Sequence, residues 1–86
     1  MKLDRTERFK KAYKALTKDD QERTQKAMRL LVENQRHPSL RVKKLKGVKG
    51  IWEARVTQAV RMTFEISKDV IWLRNVGAHD PTLKNP

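Results

Sequence analysis

Residues 51–76, IWEARVTQAVRMTFEISKDVIWLRNV, are the stretch that decides the fold. Apolar and polar residues alternate in its first two runs, a period typical of strands that bury one face. Short polar connections at 57–59 and 67–69 separate three runs, and the third is apolar almost throughout, as expected of a central strand. The segment therefore predicts an antiparallel meander. The inward face of its first two strands would carry Trp52, Ala54, Val56, Val60, Met62, Phe64 and Ile66.

The residues before this meander follow a helical period. Thr6 is a suitable N-cap for a first helix of about three turns, whose apolar face carries Phe9, Tyr13 and Leu16. Thr17 begins a second helix, from about 18 to 34, because it resembles the first residue of a capping box. Pro38 ends this helix, since proline cannot continue the hydrogen-bond ladder.

Together these patterns predict a single domain over residues 1–86. We expect an α+β fold in which an N-terminal two-helix hairpin packs on a twisted antiparallel sheet of about four strands. The first strand of that sheet would lie at 41–46, and residues 1–4 are either an edge strand or a lead-in. Residues 82–86 are expected to form a frayed tail.

Composition excludes several classes of protein. Lysine and arginine number 21 against 10 acids, so the formal net charge is +11. The chain has no cysteine and only two histidines, which argues against disulfides and against a zinc site. It has no secretory signal, and no apolar run approaches the roughly 20 residues of a membrane span. We therefore expect a cytoplasmic domain without metal, cofactor or membrane partner.

The excess of positive charge is greatest at residues 36–61, where Glu53 is the only acid. Such a patch favours a phosphate polymer as partner, although an acidic protein could compete for it. If Ile71 and Leu73 point inward, Trp72 joins this basic face; in the opposite register it belongs to the core. The lysines could instead be a solvated strand edge. The residues assigned to RNA binding are Lys43, Lys44, Lys46, Lys49, Arg74 and Trp72.

The candidate catalytic residues suit RNA cleavage without a metal. Arg61 would clamp the phosphate, because a guanidinium matches it with two hydrogen bonds, and Arg55 would be the second cation. His79 could act as acid or base. Glu53 is either a base or the ion partner that orients an arginine. The alternative is structural: both arginines could be cross-strand partners of Glu53 and Glu65, and His79 could cap the last strand.

The order of the motifs resembles the RelE/ParE toxin superfamily of bacterial and archaeal toxin–antitoxin systems. After the two helices the chain reads HPSL at 37–40, VKKLKG at 42–47, GIWEARV at 50–56, AVRMTFEI at 59–66 and DVIWLRNVGAHD at 69–80. The resemblance covers essentially the whole chain. It implies two N-terminal helices packed on a twisted antiparallel sheet. It also implies ribosome-dependent, metal-independent cleavage of mRNA for the RelE branch, and poisoning of DNA gyrase without catalysis for the ParE branch.

The resemblance assigns roles to particular residues. Arg61 stands where RelE-like toxins place the arginine for the scissile phosphate, and Arg55 stands where they place a basic residue. His79 matches members whose late catalytic residue is a histidine. Glu53 departs from the pattern, because the best-known member has a lysine there. Leu83 stands in place of a late aromatic residue.

We therefore predict the toxin of a type II toxin–antitoxin system, a ribosome-dependent mRNA endonuclease that inhibits translation. The alternatives are a ParE-type inhibitor of DNA gyrase and a non-catalytic RNA-binding relative. The free toxin is expected to be a monomer. Its partners would be mRNA on the ribosome and a cognate antitoxin whose acidic or amphipathic segment covers the basic face of the sheet. Arg61 is expected to be exposed, so that Arg61→Ala would leave stability almost unchanged.

Overall fold

In the computed structural model, which describes residues 1–86, one five-stranded sheet has two helices on one face and a short helix near the end of the chain. A 3₁₀ turn over Pro38–Leu40 follows the second helix. The elements are β1 (Lys2–Arg5), α1 (Glu7–Lys14), α2 (Lys18–Glu33), β2 (Lys43–Lys44), β3 (Trp52–Arg55), β4 (Val60–Ser67), β5 (Val70–Ala78) and α3 (His79–Lys84).

The α+β class is confirmed, but the sheet differs from the prediction of about four antiparallel strands. Its order is β1-β5-β4-β3-β2, and β1 lies parallel to β5 at one edge. The pattern of apolar and polar residues in the sequence could not reveal β1, because main-chain hydrogen bonds to a distant part of the chain hold this strand in place. One of them runs from the Lys2 N–H to Asp69 O at 2.8 Å. The chain therefore enters the fold in a strand. The expected strand over 41–46 shrinks to β2, since Arg41 has a left-handed backbone with φ of 45°.

Both predicted helix starts are confirmed. The Thr6 hydroxyl accepts a hydrogen bond from the Phe9 N–H at 3.1 Å, and the Thr17 hydroxyl accepts one from the Asp20 N–H at 3.2 Å. Each bond satisfies a backbone donor that the first turn leaves without a partner. The first helix is shorter than the expected three turns. No helix is long and apolar enough to cross a membrane.

The helices cover the apolar face of the sheet, as predicted. The buried core joins residues of α1 and α2 to the inward residues of β3, β4 and β5. Ile66 is an exception, since its exposure is 37%. Strand β3 pairs with β4 only as far as Phe64, so Ile66 has no neighbour on that side. The core residues are Phe9, Ala27, Met28, Leu31, Leu40, Ala54, Val60, Met62, Phe64, Ile71, Leu73 and Val76.

The end of the chain is ordered against the sheet, so the prediction of a frayed tail was wrong. Helix α3 packs against β4 and β5, and Thr82 is buried. Gly77 permits this close approach, because a Cβ atom there would lie 3.0 Å from Thr82 Oγ1. Tertiary contacts therefore stabilise a six-residue helix whose own sequence, HDPTLK, is too short to be stable alone.

Candidate functional site

The sheet face opposite α1 and α2 is called the polar face here. Register places its residues in rows across the strands: Lys43 is the partner of Glu53, and Glu53 is the partner of Thr63. In the next row Arg55 is the partner of Arg61. The residues of this face are Lys43, Glu53, Arg55, Arg61, Thr63, Glu65, Trp72, Arg74 and Asn75. The structure thus brings together three of the four predicted catalytic residues, namely Glu53, Arg55 and Arg61.

The Arg61 side chain is anchored to the turn between β3 and β4. Its Nη1 donates hydrogen bonds to the carbonyl oxygens of Thr57 at 2.7 Å, Gln58 at 3.1 Å and Val60 at 3.3 Å. Only 16% of the side chain is exposed, so the expectation of an exposed Arg61 was wrong. The turn folds back over the guanidinium, which the alternating pattern could not show. Nη2 makes no hydrogen bond within the protein.

Glu53 is a buried carboxylate between two cations. Its side chain is 7% exposed, and Oε1 lies 3.9 Å from both Lys43 Nζ and Arg61 Nε. A buried carboxylate needs such compensation, because loss of hydration destabilises its charged form. This geometry favours the role of ion partner over that of a base for Glu53.

Arg55 is the more available of the two arginines. It is half-buried and makes no hydrogen bond or ion pair within the protein. Because its direct cross-strand partner is Arg61, two side chains of like charge leave the polar face from paired positions. Such a pair is unfavourable by itself and becomes favourable when an anion lies between the two groups.

His79 lies where β5 passes into α3. Its backbone N–H donates to Ala59 O at 2.8 Å, which ties it to the same β3–β4 turn that anchors Arg61. Its Nδ1 lies 2.8 Å from Asp80 Oδ1, and this hydrogen bond, together with the charge of His79, lowers the pKa of the Asp80 carboxyl. The exposed imidazole is thus oriented by a carboxylate through Nδ1, and Nε2 makes no hydrogen bond within the protein.

The residues predicted to bind RNA do not form one patch. Lys44 lies on the opposite face from Lys43, with its Nζ 5.2 Å from the centre of the Trp52 ring. Strand alternation separates these neighbours. Lys46 and Lys49 are exposed in the loop between β2 and β3.

The orientation of β5 settles the question of Trp72. Ile71 and Leu73 are fully buried, so Trp72 and Arg74 belong to the polar face. Trp52, by contrast, packs partly buried against the core and stacks on Phe64. No cluster of three or more histidine and carboxylate side chains has the geometry to hold a metal ion.

Sequence reasoning missed two features of the polar face. Thr63 and Asn75 are direct partners across β4 and β5, and both donate hydrogen bonds to backbone carbonyls of residues 85 and 86. Neither residue type is distinctive in a strand. They act together only because residues 85 and 86 dock against both of them.

Comparison with known proteins gives no match to a family model and none to a curated protein. Solved structures match nearly the whole chain. YafQ of E. coli BL21(DE3) has a TM-score of 0.78 at 18% identity, over 92% of this chain and 93% of YafQ. The YoeB/ParE toxin of Agrobacterium tumefaciens has a TM-score of 0.78 at 20% identity, over 92% and 99% of the two chains. The chain has the RelE-like toxin fold.

A RelE-like fold is also found in the E. coli RelBE toxin–antitoxin complex, with a TM-score of 0.72 at 21% identity over 92% of this chain and 96% of the other. The fold implied by the resemblance in the order of motifs is therefore confirmed. In this chain the RelE-like fold places Arg55, Arg61 and Glu53 on one face of the sheet, with His79 at the end of β5.

Proposed function

We propose that this chain is the toxin of a type II toxin–antitoxin system and that it cleaves mRNA on the ribosome. The observation that carries the proposal is the pairing of Arg55 with Arg61 on the face that α1 and α2 leave open. His79 is tied to the turn that joins the strands of these two arginines. Two cations and an imidazole are the groups that metal-independent cleavage of a phosphodiester requires.

Cleavage would proceed by attack of the ribose 2′-hydroxyl on the adjacent phosphorus. The bond from phosphorus to the 5′-oxygen breaks, a cyclic phosphate forms, and one proton passes from the 2′-oxygen while another reaches the 5′-oxygen. Arg55 and Nη2 of Arg61 stabilise the charge on the phosphoryl oxygens. His79 performs one of the two proton transfers, and water performs the other. Glu53 does not touch the substrate but holds Arg61 in position.

A cognate antitoxin is the second partner that we propose. The E. coli proteins YafQ and RelE, which share this fold, have been solved as toxin–antitoxin complexes with DinJ and RelB. This chain carries a net charge of +11, which favours an acidic segment that covers the polar face. Such a segment would neutralise the toxin by excluding RNA from Arg55 and Arg61.

Induction of the chain in cells, followed by primer extension on several mRNAs, tests this function. We expect cuts that require translation, and we expect Arg55→Gln and His79→Gln each to lower cleavage by roughly a hundredfold. Arg23→Gln is the matched control, because it removes one positive charge from the exposed side of α2. Growth arrest with intact mRNA and damaged DNA would favour gyrase as target instead. The absence of growth arrest would indicate a non-catalytic relative.

A further inference from the structure

Two consecutive main-chain oxygens, Asn85 O and Pro86 O, receive hydrogen bonds from side chains of the polar face. Pro86 O accepts from Thr63 Oγ1 at 2.9 Å and from Arg74 Nε at 3.2 Å. Asn85 O accepts from Asn75 Nδ2 at 2.9 Å and from Nη2 of Arg8 on α1. Three neighbouring positions of β4 and β5 thus supply a hydroxyl, a guanidinium and an amide to one small region.

The bulge in the pairing of β4 with β5 brings these donors together. Thr63 is the partner of Asn75, whereas Phe64 is the partner of Leu73, so Arg74 has no partner of its own on β4. The extra residue lets two consecutive side chains, Arg74 and Asn75, reach the same carbonyl pair. A salt bridge of 2.7 Å from Arg74 Nη1 to Glu65 Oε1 holds the guanidinium in this orientation.

The chemistry of this donor set suits an anion. A guanidinium, a hydroxyl and an amide N–H all donate, and hydrogen bonds to a charged oxygen are about twice as strong as those to a neutral one. Thr63 is fully buried, so a ligand can reach its hydroxyl only after residues 85 and 86 move away. These two residues follow α3 directly and accept the four side-chain bonds described above. Asn85 is also tied to α3, because its backbone N–H and its Nδ2 both donate to Pro81 O, at 3.1 and 3.4 Å.

We propose that Thr63, Arg74 and Asn75 form a second phosphate-binding subsite for RNA, which residues 85–86 occupy as an internal competitor. The proposal rests on the proposed function, because it extends the RNA path from Arg61 to the neighbouring phosphate. Thr63 lies two residues from Arg61 along β4, about 7 Å away, which one nucleotide step can bridge. Binding of RNA would displace the carbonyls of Asn85 and Pro86 and expose the Thr63 hydroxyl.

The test measures binding of a short fluorescein-labelled single-stranded RNA by fluorescence anisotropy at low salt, without ribosomes. A chain that stops after Lys84 should bind RNA roughly tenfold more tightly, since the competing carbonyls are gone. Arg74→Gln should weaken binding several-fold in the shortened chain and much less in the full chain. An unchanged affinity after shortening, or an equal effect of Arg74→Gln in both chains, would overturn the proposal.

A second measurement on the full chain keeps the proposal testable if the shortened chain does not fold. In an NMR titration with the same RNA, the side-chain N–H signals of Arg74 and Asn75 should shift together with the backbone signal of Asn85. Signals that stay in place while RNA binds elsewhere would contradict the subsite. If polyglutamate displaced the labelled RNA as effectively as an unlabelled RNA of the same charge does, the site would be assigned to carboxylates. That result would overturn the RNA assignment.

These outcomes are independent of the mRNA cleavage assay. Loss of the subsite would weaken the binding of free RNA, whereas translation-dependent cuts that depend on Arg55, Arg61 and His79 would still be detected. Conversely, absence of cleavage in cells would not alter the anisotropy of free RNA. Arg8→Gln is the control for the docking of residues 85–86, because Arg8 contacts Asn85 O from α1. It should strengthen RNA binding slightly, although it removes a positive charge.

Discussion

Arg61 Nε lies 3.9 Å from Glu53 Oε1, and both side chains are more than four-fifths buried on the polar face of the sheet. The carboxylate stands between Arg61 and Lys43, while three turn carbonyls accept the hydrogen bonds of Arg61 Nη1. The principal arginine of the candidate site is therefore also a structural residue. We therefore expect its substitution to lower stability as well as any activity, and the two effects must be measured separately.

Arg61→Gln should lower the free energy of unfolding by about 1–3 kcal/mol, because its charge-assisted bonds to three carbonyls of the β3–β4 turn are lost. Arg55→Gln should change it by less than about 0.5 kcal/mol, because Arg55 makes no hydrogen bond or ion pair within the protein. Urea denaturation of the two variants checks this difference. Equal stability of the two variants would contradict the anchoring role assigned to the β3–β4 turn. Only Arg55→Gln then reports on activity without a large loss of stability.

Glu53→Gln distinguishes a base from an ion partner. If Glu53 orients Arg61, the variant should keep cleavage within about tenfold of wild type, whereas loss of a catalytic base costs about 100-fold or more. Its free energy of unfolding should fall by about 2 kcal/mol, since two cations lose their shared counter-charge and Lys43 is partly screened by solvent. Cleavage on purified ribosomes and urea denaturation measure the two quantities. Glu65→Gln serves as the control for removing one acid from the same face.

The close approach of α3 to β5 predicts a coupled pair of substitutions. Gly77→Ala should destabilise the protein by about 1–3 kcal/mol, because the added methyl group meets Thr82 Oγ1. Thr82→Ala removes that oxygen, so the double variant should be less destabilised than the sum of the two single variants. A double-mutant cycle by thermal unfolding measures the coupling. Additive effects would mean that α3 can move away from β5 without a loss of stability.

The pair formed by His79 and Asp80 predicts a pH dependence. The hydrogen bond and the charge of His79 lower the pKa of Asp80 below its usual 3.8. Because the pKa is lowered in the folded state, the contribution to stability is present above pH 3.8 and is lost as the pH falls through the lowered value. NMR titration of the Asp80 carboxyl should give a midpoint below 3.8 in the wild type and near 3.8 in His79→Gln. Equal midpoints would show that the two side chains do not interact in solution.

The sequence by itself determined the starts of both main helices, the meander and the two faces of its strands. These features depend on residues close together in the chain: Thr6 and Thr17 cap the helices that follow them, and alternation in 51–66 separates core from polar positions. The register of β5 was left as two alternatives because its apolar run lacks alternation. The burial of Ile71 and Leu73 decided between them.

Tertiary structure decided the rest. Strand β1 and helix α3 are held by contacts with distant parts of the chain, so their local sequences carry little signal. The burial of Arg61 depends on how the β3–β4 turn folds over its guanidinium, and the docking of residues 85–86 depends on a bulge that places Arg74 beside Asn75. Local pattern assigns a residue to a face, but register, turns and the path of the chain end determine what it touches there.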